Sequence, residues 1–321
     1  MPKISIITTV YKHQDFIAET IESILSQTFT DWELLIWDDS PDDLTWNIIQ
    51  AYVNKYPDKI KAWHNNPNKW IVDNMNFLLE NVSVDSEYVA FLEWDDLYAK
   101  DNLEEKLKIF EKHTEVWMVY NNLDFIDEKW SILEKNYFKC VKKVIKNERL
   151  DLDEFLFYLN SYFSFSTMMI KTSIFKDIKI ESPNNDKKFL NSDCIFFAEV
   201  WYNYNLYGIE KELTHYRRHW NNSSNNFNLS YDALISINYL IKKYNLKNSY
   251  FRLYLTKSFL SYLENNKKDA IYYWILSFKY NIRYKFIRRF GVIILSLLPR
   301  VINKFIFNIY RSIIWRKSIK K

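Results

Sequence analysis

Within its first hundred residues the chain switches repeatedly between a strand pattern and a helix pattern, and that rhythm restricts the fold more than any other feature. Lys3 to Tyr11 is a short run of Ile, Thr and Val with no charge inside it, the pattern of a strand buried on both faces. From Asp15, available as an N-cap, Phe16, Ile17, Ile21, Ile24 and Leu25 recur at helical spacing in a segment ending near Phe29. Glu33 to Trp37 then reads as a strand, Leu44 to Tyr56 as a helix, Ile60 to His64 as a strand, Val72 to Leu79 as a helix and Tyr88 to Leu92 as a strand. Such alternation builds βαβ units around a mostly parallel sheet, and ligands bind those sheets off the carboxyl ends of the strands. Two strands run straight into acidic pairs there, Asp38 with Asp39 and Asp95 with Asp96.

The pattern continues with a helix over Leu103 to Lys112, a strand over Val116 to Tyr120, a strand over Phe165 to Lys171 and an aromatic helix over Phe189 to Tyr207. Asn121 to Asn147 lacks a clean period and fits a hairpin or a partly ordered loop. After Ser223 the texture is helical, over roughly Leu229 to Tyr244, Ser249 to Glu264 and Asp269 to Tyr280. An Asn-rich run at Asn226 to Asn228 has turn character, so the boundary is placed between an α/β domain of residues 1–226 and a helical region of residues 227–321.

Composition removes several rival functions. Only two glycines are present, Gly208 and Gly291, so neither a dinucleotide fingerprint nor a Walker phosphate loop can be written. Cys140 and Cys194 form no C-x-x-C, which argues against a disulfide framework or a structural zinc site and fits a reducing cytosol. The apolar stretch of Met-Pro-Lys-Ile-Ser-Ile-Ile is too short for a signal peptide. Without a glycine loop to cradle phosphate, the clustered carboxylates point to a hard divalent cation, Mn²⁺ or Mg²⁺, held by oxygen ligands and shared with substrate phosphates. The expectation is that the acidic groups near residues 38 and 95 converge on one pocket around that ion.

Six segments, in order, resemble the successive motifs of a family 2 glycosyltransferase with the GT-A fold. They are Pro2-Lys3-Ile4-Ser5-Ile6-Ile7-Thr8-Thr9-Val10-Tyr11, Ile21-Glu22-Ser23-Ile24-Leu25-Ser26-Gln27-Thr28-Phe29, Glu33-Leu34-Leu35-Ile36-Trp37-Asp38-Asp39-Ser40, Phe91-Leu92-Glu93-Trp94-Asp95-Asp96, Ser192-Asp193, and Tyr216-Arg217-Arg218-His219 followed by Ser223. The resemblance implies a Rossmann-like, mostly parallel sheet flanked by helices, with an α-helical C-terminal extension. It implies that Thr9 and Tyr11 lie beside the nucleotide base, and that Asp38 or Asp39 bonds a uracil-type ring or the ribose. Asn74 joins the donor site, Glu93 takes the ribose-touching first position of the family's D-x-D, and Asp95 takes the metal-ligating last position. Asp96 follows as an alternative ligand or as a support behind the ligand. Asp193 matches the catalytic base, and His219 with Arg217 or Arg218 faces the diphosphate. Trp94, between the acidic residues, is the aromatic expected to touch a sugar.

Three departures from the family pattern stand out. The usual D-D-G-S-x-D loop is Asp38-Asp39-Ser40-Pro41-Asp42-Asp43, with proline where glycine is usual. The N-x-G segment is Asn66-Pro67-Asn68-Lys69-Trp70, which brings Trp70 within stacking reach of a ligand. Glu93 replaces an Asp and carries its carboxylate one methylene further out.

The resemblance implies an inverting, metal-dependent transfer of a sugar from a nucleotide-sugar, with UDP as the expected carrier, onto a hydroxyl of a glycan or polyprenyl-linked glycan in surface polysaccharide synthesis. Direct displacement needs one carboxylate as base opposite the leaving group, which is the role of Asp193. For Asp193 the simpler reading is a helix N-cap for the segment from Cys194, and the two are compatible.

Charge adds a second theme. Twelve Lys and Arg and no acidic residue follow Asp269, so a formal net charge of +4 leaves −8 on the rest. Gly291 to Leu298 is apolar, but Pro299 and Arg300 end it well short of the ~20 residues that span a bilayer. The surrounding basic, aromatic pattern suits an amphipathic helix on an anionic membrane surface, at the cytoplasmic face, rather than nucleic acid; a helical packing module with a solvated basic face is the plainer alternative. Two other readings stay open, a non-catalytic nucleotide-sugar or glycan-binding relative and a membrane-surface scaffold.

Overall fold

The computed structural model describes residues 2–64, 69–135, 137, 164–183, 189, 191–219, 222, 229–246, 250–264 and 266–280. The chain opens with strand β1 (Ile4–Val10), helix α1 (Ile17–Leu25), β2 (Trp32–Asp38), α2 (Asp43–Lys55), β3 (Ile60–His64), α3 (Ile71–Glu80) and β4 (Tyr88–Phe91). Then come β5 (Leu97–Tyr98), α4 (Asn102–Lys112), β6 (Met118–Ile126), β7 (Ile132–Glu134), a 3-10 turn at Phe165–Thr167 leading into β8 (Met168–Lys171), α5 (Ser192–Asn203) and β9 (Leu206–Arg217). Three helices follow, α6 (Leu229–Tyr244), α7 (Tyr250–Leu263) and α8 (Lys267–Tyr280). The described residues up to Asn222 belong to one compact unit and these three helices to another.

The nine strands form one mixed sheet in the order β3-β2-β1-β4-β8-β6-β9-β5, with β7 on the free part of β6. β3, β2, β1 and β4 are parallel neighbours, as the alternating sequence requires. β8 enters antiparallel between β4 and β6. Along β1 and β2 alternate side chains face opposite ways. Ile4, Ile6, Val10, Trp32, Leu34 and Ile36 pack with Ile17, Ile21 and Ile24 of α1, Ile49 of α2 and Leu103, Leu107 and Phe110 of α4. Trp37 faces the other way and meets Phe77 of α3, which also rests edge-on against Trp63.

The expected strands and helices recur over the first 120 residues with small shifts. Asp15 is not the cap of α1: Phe16 occupies that position without a side-chain bond, and the helix ends at Leu25 rather than near Phe29. Asp42 caps α2 by accepting from the Leu44 amide. Larger differences come later. β6 runs on to Ile126 and turns into β7, so the start of the stretch without period is a hairpin. The aromatic helix is shorter than its composition suggested, Ser192–Asn203, and the chain then enters a twelve-residue strand that the sequence reading did not contain. β9 hides because two register shifts against β6 break its alternation and Glu210-Lys211-Glu212 places charges in its middle. The boundary placed at residue 226, the Asn66-Pro67-Asn68 segment and the basic tail from residue 281 lie outside the described residues.

One buried carboxylate ties the sheet's amino end together. Glu33 Oε1 accepts from Ser5 Oγ at 2.7 Å and from the Ser83 amide at 2.9 Å, while Lys61 Nζ donates to Oε2 at 2.9 Å. Burial works against the charged form, but these donors together hold the Glu33 pKa below its ordinary value. A depressed carboxylate stabilises the fold above its unfolded pKa, and that contribution is lost as pH falls below the usual 4.5. Glu33→Ala is therefore expected to cost about 2 kcal/mol at neutral pH, by orphaning buried donors. Urea titrations at pH 7 and below pH 4.5 check this: the stability gap between the variant and the native chain should narrow as the pH falls.

Candidate functional site

Because β2, β1 and β4 are parallel neighbours, their carboxyl ends leave the sheet at one edge. Val10 lies opposite Asp38 in register, and the Asp39 amide donates to Val10 O at 2.9 Å. The ends of β2 and β4 flank that of β1, roughly 10 Å apart at the ordinary strand spacing.

The first acidic pair is held by neutral donors. Asp38 Oδ1 accepts from the Ser40 amide and hydroxyl, while Oδ2 is buried without a partner. Burial pushes the Asp38 pKa up, against the Ser40 bonds and the nearby His64. Asp39 accepts from the Lys69 amide at 2.9 Å and the Trp70 amide at 3.1 Å, which pins the start of α3. Trp70 has φ 71°, the left-handed region that favours glycine, so Asp39 offsets a backbone strain of about 1–3 kcal/mol.

The second acidic run forms the loop from β4 to β5, and the end of β9 closes over it. Asp95 Oδ2 meets His219 Nε2 at 2.9 Å and accepts from Asn222 Nδ2 at 3.1 Å. Asp96 Oδ1 accepts from the Arg217 amide at 3.0 Å, and Oδ2 is buried without a partner. Thr20 of α1 donates its hydroxyl to the carbonyls of Trp94 and Asp96. Arg217 is fully buried. Its Nε donates to the Asp95 carbonyl at 2.9 Å, its Nη2 pairs with Glu19 of α1, its Nη1 donates to the Glu128 carbonyl at 3.3 Å, and Phe16 and Trp130 lie on its guanidinium.

Asp193 joins from α5, one position into the helix; Asn191 holds the N-cap position, so the expected capping role moves off Asp193. Its Oδ1 accepts from the Cys194 amide, and burial raises its pKa to about 6. Its charge is felt by Glu93, whose pKa rises to about 8 through burial first, then Asp95, then Asp193. Ser164 donates to Glu93 Oε2 and partly offsets the shift. Asp95 is raised by burial against the pull of His219 and Arg217, and Asp96 is raised further by burial and by Asp95 and Glu93. Four carboxylates thus gather from two parts of the chain, the β4–β5 loop and α5. Groups so placed, off the carboxyl end of a parallel strand, can bind a cation and accept a proton.

A family model described as Glycosyl transferase family 2 matches residues 5–179, which is more than half of the chain. The chain belongs to that family. Bacillus subtilis (strain 168) EpsE, named as a glycosyltransferase, is 36% identical over 127 residues, covering 40% of this chain and 45% of EpsE. TuaG of the same strain, named for teichuronic acid biosynthesis, is 36% identical over 107 residues, covering 33% of this chain and 41% of TuaG. Both matches span less than half of the relative's length. Among solved structures, the S. aureus TarS 1–349 complex with UDP-GlcNAc aligns with TM-score 0.54 at 17% identity, over 74% of this chain and 66% of that one. The mannosyltransferase PcManGT from Pyrobaculum calidifontis, in complex with GDP-Man and Mn²⁺, aligns with TM-score 0.56 at 12% identity, over 91% and 78%. At those identities the likeness concerns the fold, which is GT-A.

Within this family 2 chain, the candidate residues fall into groups. Glu93, Asp95, Asp96 and His219 are together, and Asp193 acts electrostatically on Glu93. Trp94 is beside them, but one face of its indole is covered by the His13 ring, which lies parallel to it within 1°. His13 was not singled out by sequence, since nothing local distinguishes it; burial and the nearby His219 lower its pKa to about 3. Asp38 and Asp39 share the edge of the sheet with the second cluster but keep their own partners, so the idea of a single ion neutralising both pairs gives way to separate hydrogen-bonded sets. Thr9 is half-buried near the end of β1, Tyr11 is exposed just beyond it, and Asn74 is buried on α3 with its Oδ1 unpartnered. Arg218 lies across the face of Phe125. Ser164, Asn222 and Glu19 hold the site together and carried no motif signal.

The donor set suits a hard divalent cation: the atoms are carboxylate oxygens, they raise one another's pKa, and Asp96 keeps an orphan oxygen. Among the described residues no three His, Cys, Asp or Glu side chains form a ready-made cage. One or two carboxylates completed by substrate phosphates is the usual arrangement for Mg²⁺.

Arg217→Met removes the charge that Glu19 faces and the donor to the Asp95 carbonyl while keeping the stem. Breaking such a pair is expected to cost about 3 kcal/mol. Differential scanning calorimetry without ligand should show the loss, and an unchanged Tm would refute a structural role for this guanidinium.

Proposed function

We propose that this chain is an inverting, metal-dependent glycosyltransferase that moves a sugar from a nucleotide-sugar, with UDP as carrier, onto a hydroxyl of a glycan or polyprenyl-linked glycan in surface polysaccharide synthesis. The observation that carries the reading is the placing of Asp95 and Asp193 near Glu93 off the carboxyl end of β4, where the charge of each raises the Glu93 pKa. Family membership, the kinship with EpsE and TuaG, and the donors named in the TarS and PcManGT structures support it.

A divalent cation, Mn²⁺ or Mg²⁺, would be held by Asp95, with Asp96 as the neighbouring ligand or support, and when bound supplies charge neutralisation for the leaving diphosphate. Thr9, Tyr11, Asp38, Asp39 and Asn74 line the nucleotide side of the strand ends, and Glu93 reaches toward the ribose. Asp193 accepts the proton of the acceptor hydroxyl as its oxygen attacks the anomeric carbon from the side opposite the diphosphate, which inverts that centre. His219 and Asn222 fix the orientation of Asp95 through Oδ2. Arg217 fixes the loop through the Asp95 carbonyl.

The acceptor's lipid link and a cytoplasmic, peripheral location on the inner membrane face rest on the basic sequence after Asp269. No helix among the described residues is long and apolar enough to cross a membrane.

Radiolabelled nucleotide-sugars with Mn²⁺ test the reading directly. Asp193→Asn is expected to lower turnover by about 10²–10⁴-fold while the donor still raises Tm, and Asp95→Ala to lower it by at least about 10²-fold with loss of the metal dependence. Donor binding with no turnover of any donor by the native chain would favour a non-catalytic relative instead. Only the carboxylate form of Asp193 accepts a proton, so kcat should be full above pH 7 and fall about tenfold per unit below about pH 6. A flat profile across that range would remove Asp193 from the role.

A further inference from the structure

The β6–β7 hairpin projects apolar side chains that stay largely exposed, although one of them also rests on the buried Arg217. Trp130, Ile132 and Leu133 are 51%, 49% and 55% exposed, three large apolar residues within four positions. The turn that presents them is held firmly. Asp127 Oδ1 accepts from the amides of Lys129 and Ser131, both at 2.8 Å, and the Asp127 backbone pairs with Ser131 and Trp130. Trp130 is held at φ 68°, a left-handed conformation that a bulky residue keeps only where its surroundings over-determine it. Part of its ring lies over the buried Arg217, whose Nη1 also bonds the Glu128 carbonyl, so the tip is anchored to the scaffold of the candidate site.

Size and composition select the occupant. Asp127 is spent capping the turn and Glu134 lies in the field of Arg218, which leaves Glu128, Lys129 and Lys135 facing outward. A stable protein interface buries about 800 Å² per partner, far more than three side chains at a narrow tip supply. Trp with branched aliphatics, flanked by lysines whose stems can lie along apolar surface, is instead the composition of the membrane interface. We propose that the tip of this hairpin inserts into the headgroup region of a phospholipid bilayer, as a contact separate from the basic C-terminal sequence. It orients the edge of the sheet that carries Asp95 toward the lipid surface.

The full chain tests this with an environment-sensitive fluorophore on Ile132→Cys in a Cys140→Ser background; Cys194 is buried and stays unlabelled. On adding phosphatidylcholine vesicles with phosphatidylglycerol, emission should shift to the blue and rise by about twofold or more, and lipid-borne spin labels should quench it. Ile132→Asp with Leu133→Asp should lower vesicle binding by about tenfold or more. Flotation with unchanged emission would assign binding to the C-terminal sequence alone and overturn the proposal. A blue shift that grows with protein concentration without lipid would overturn it in favour of a second copy, and absence of any vesicle binding would overturn it outright. No donor or acceptor is present in these measurements, so their failure leaves the transfer reading where it stands.

Discussion

The candidate site depends on one buried cation. Arg217, at the end of β9, bonds the carbonyl of Asp95, pairs with Glu19 on α1 and bonds the carbonyl of Glu128 on the hairpin, with Phe16 and Trp130 against its planar group. A guanidinium suits this place because its several donors point in fixed directions and its charge is never lost. The loop that carries the acidic run is thereby joined to the first helix and to the far half of the sheet. Its own amide caps Asp96, so backbone and side chain of one residue arrange both members of the second acidic pair.

That clasp accounts for how carboxylates can be concentrated without tearing the site apart. Glu93, Asp95, Asp96 and Asp193 all have pKa values pushed up by burial, and Glu93 and Asp96 are raised further by neighbouring carboxylates. Opposing pulls come from His219, Asn222, Ser164 and Arg217 itself. The remaining excess of negative charge is a store of affinity for a cation or for protons, which is the electrostatic state expected of a functional cleft. The first pair is different in kind: Asp38 bonds Ser40 through Oδ1 alone, Asp39 takes the amides that open α3, and both shape the backbone at the ends of β1 and β2.

Much of this was legible beforehand because it is local. The apolar runs that become β1 to β4, the helical spacing of Ile17, Ile21 and Ile24, and the placing of acidic pairs directly after strands all follow from neighbours in sequence. Arg217 and His219 could be singled out only through the motif they belong to, and their strand was missed because bulges and a charged run hide its alternation. His13, Glu19, Ser164 and Asn222 carried no signal of their own. Each matters through a partner more than seventy positions away, and the local bond of Asn222 to the His219 amide gave no hint of Asp95.

The sequence by itself determined the alternation of strand and helix, hence a parallel core with its ligand edge at the carboxyl ends, and it excluded a glycine phosphate loop. Periodicity and composition suffice for that, since they act over a few residues. Tertiary structure alone decided which carboxylates meet, which are satisfied by amides, that Arg217 is internal, and that Trp94 has a histidine on its face. Those outcomes depend on strand order and on how β9 and α5 return to β4, and no short-range pattern encodes such returns.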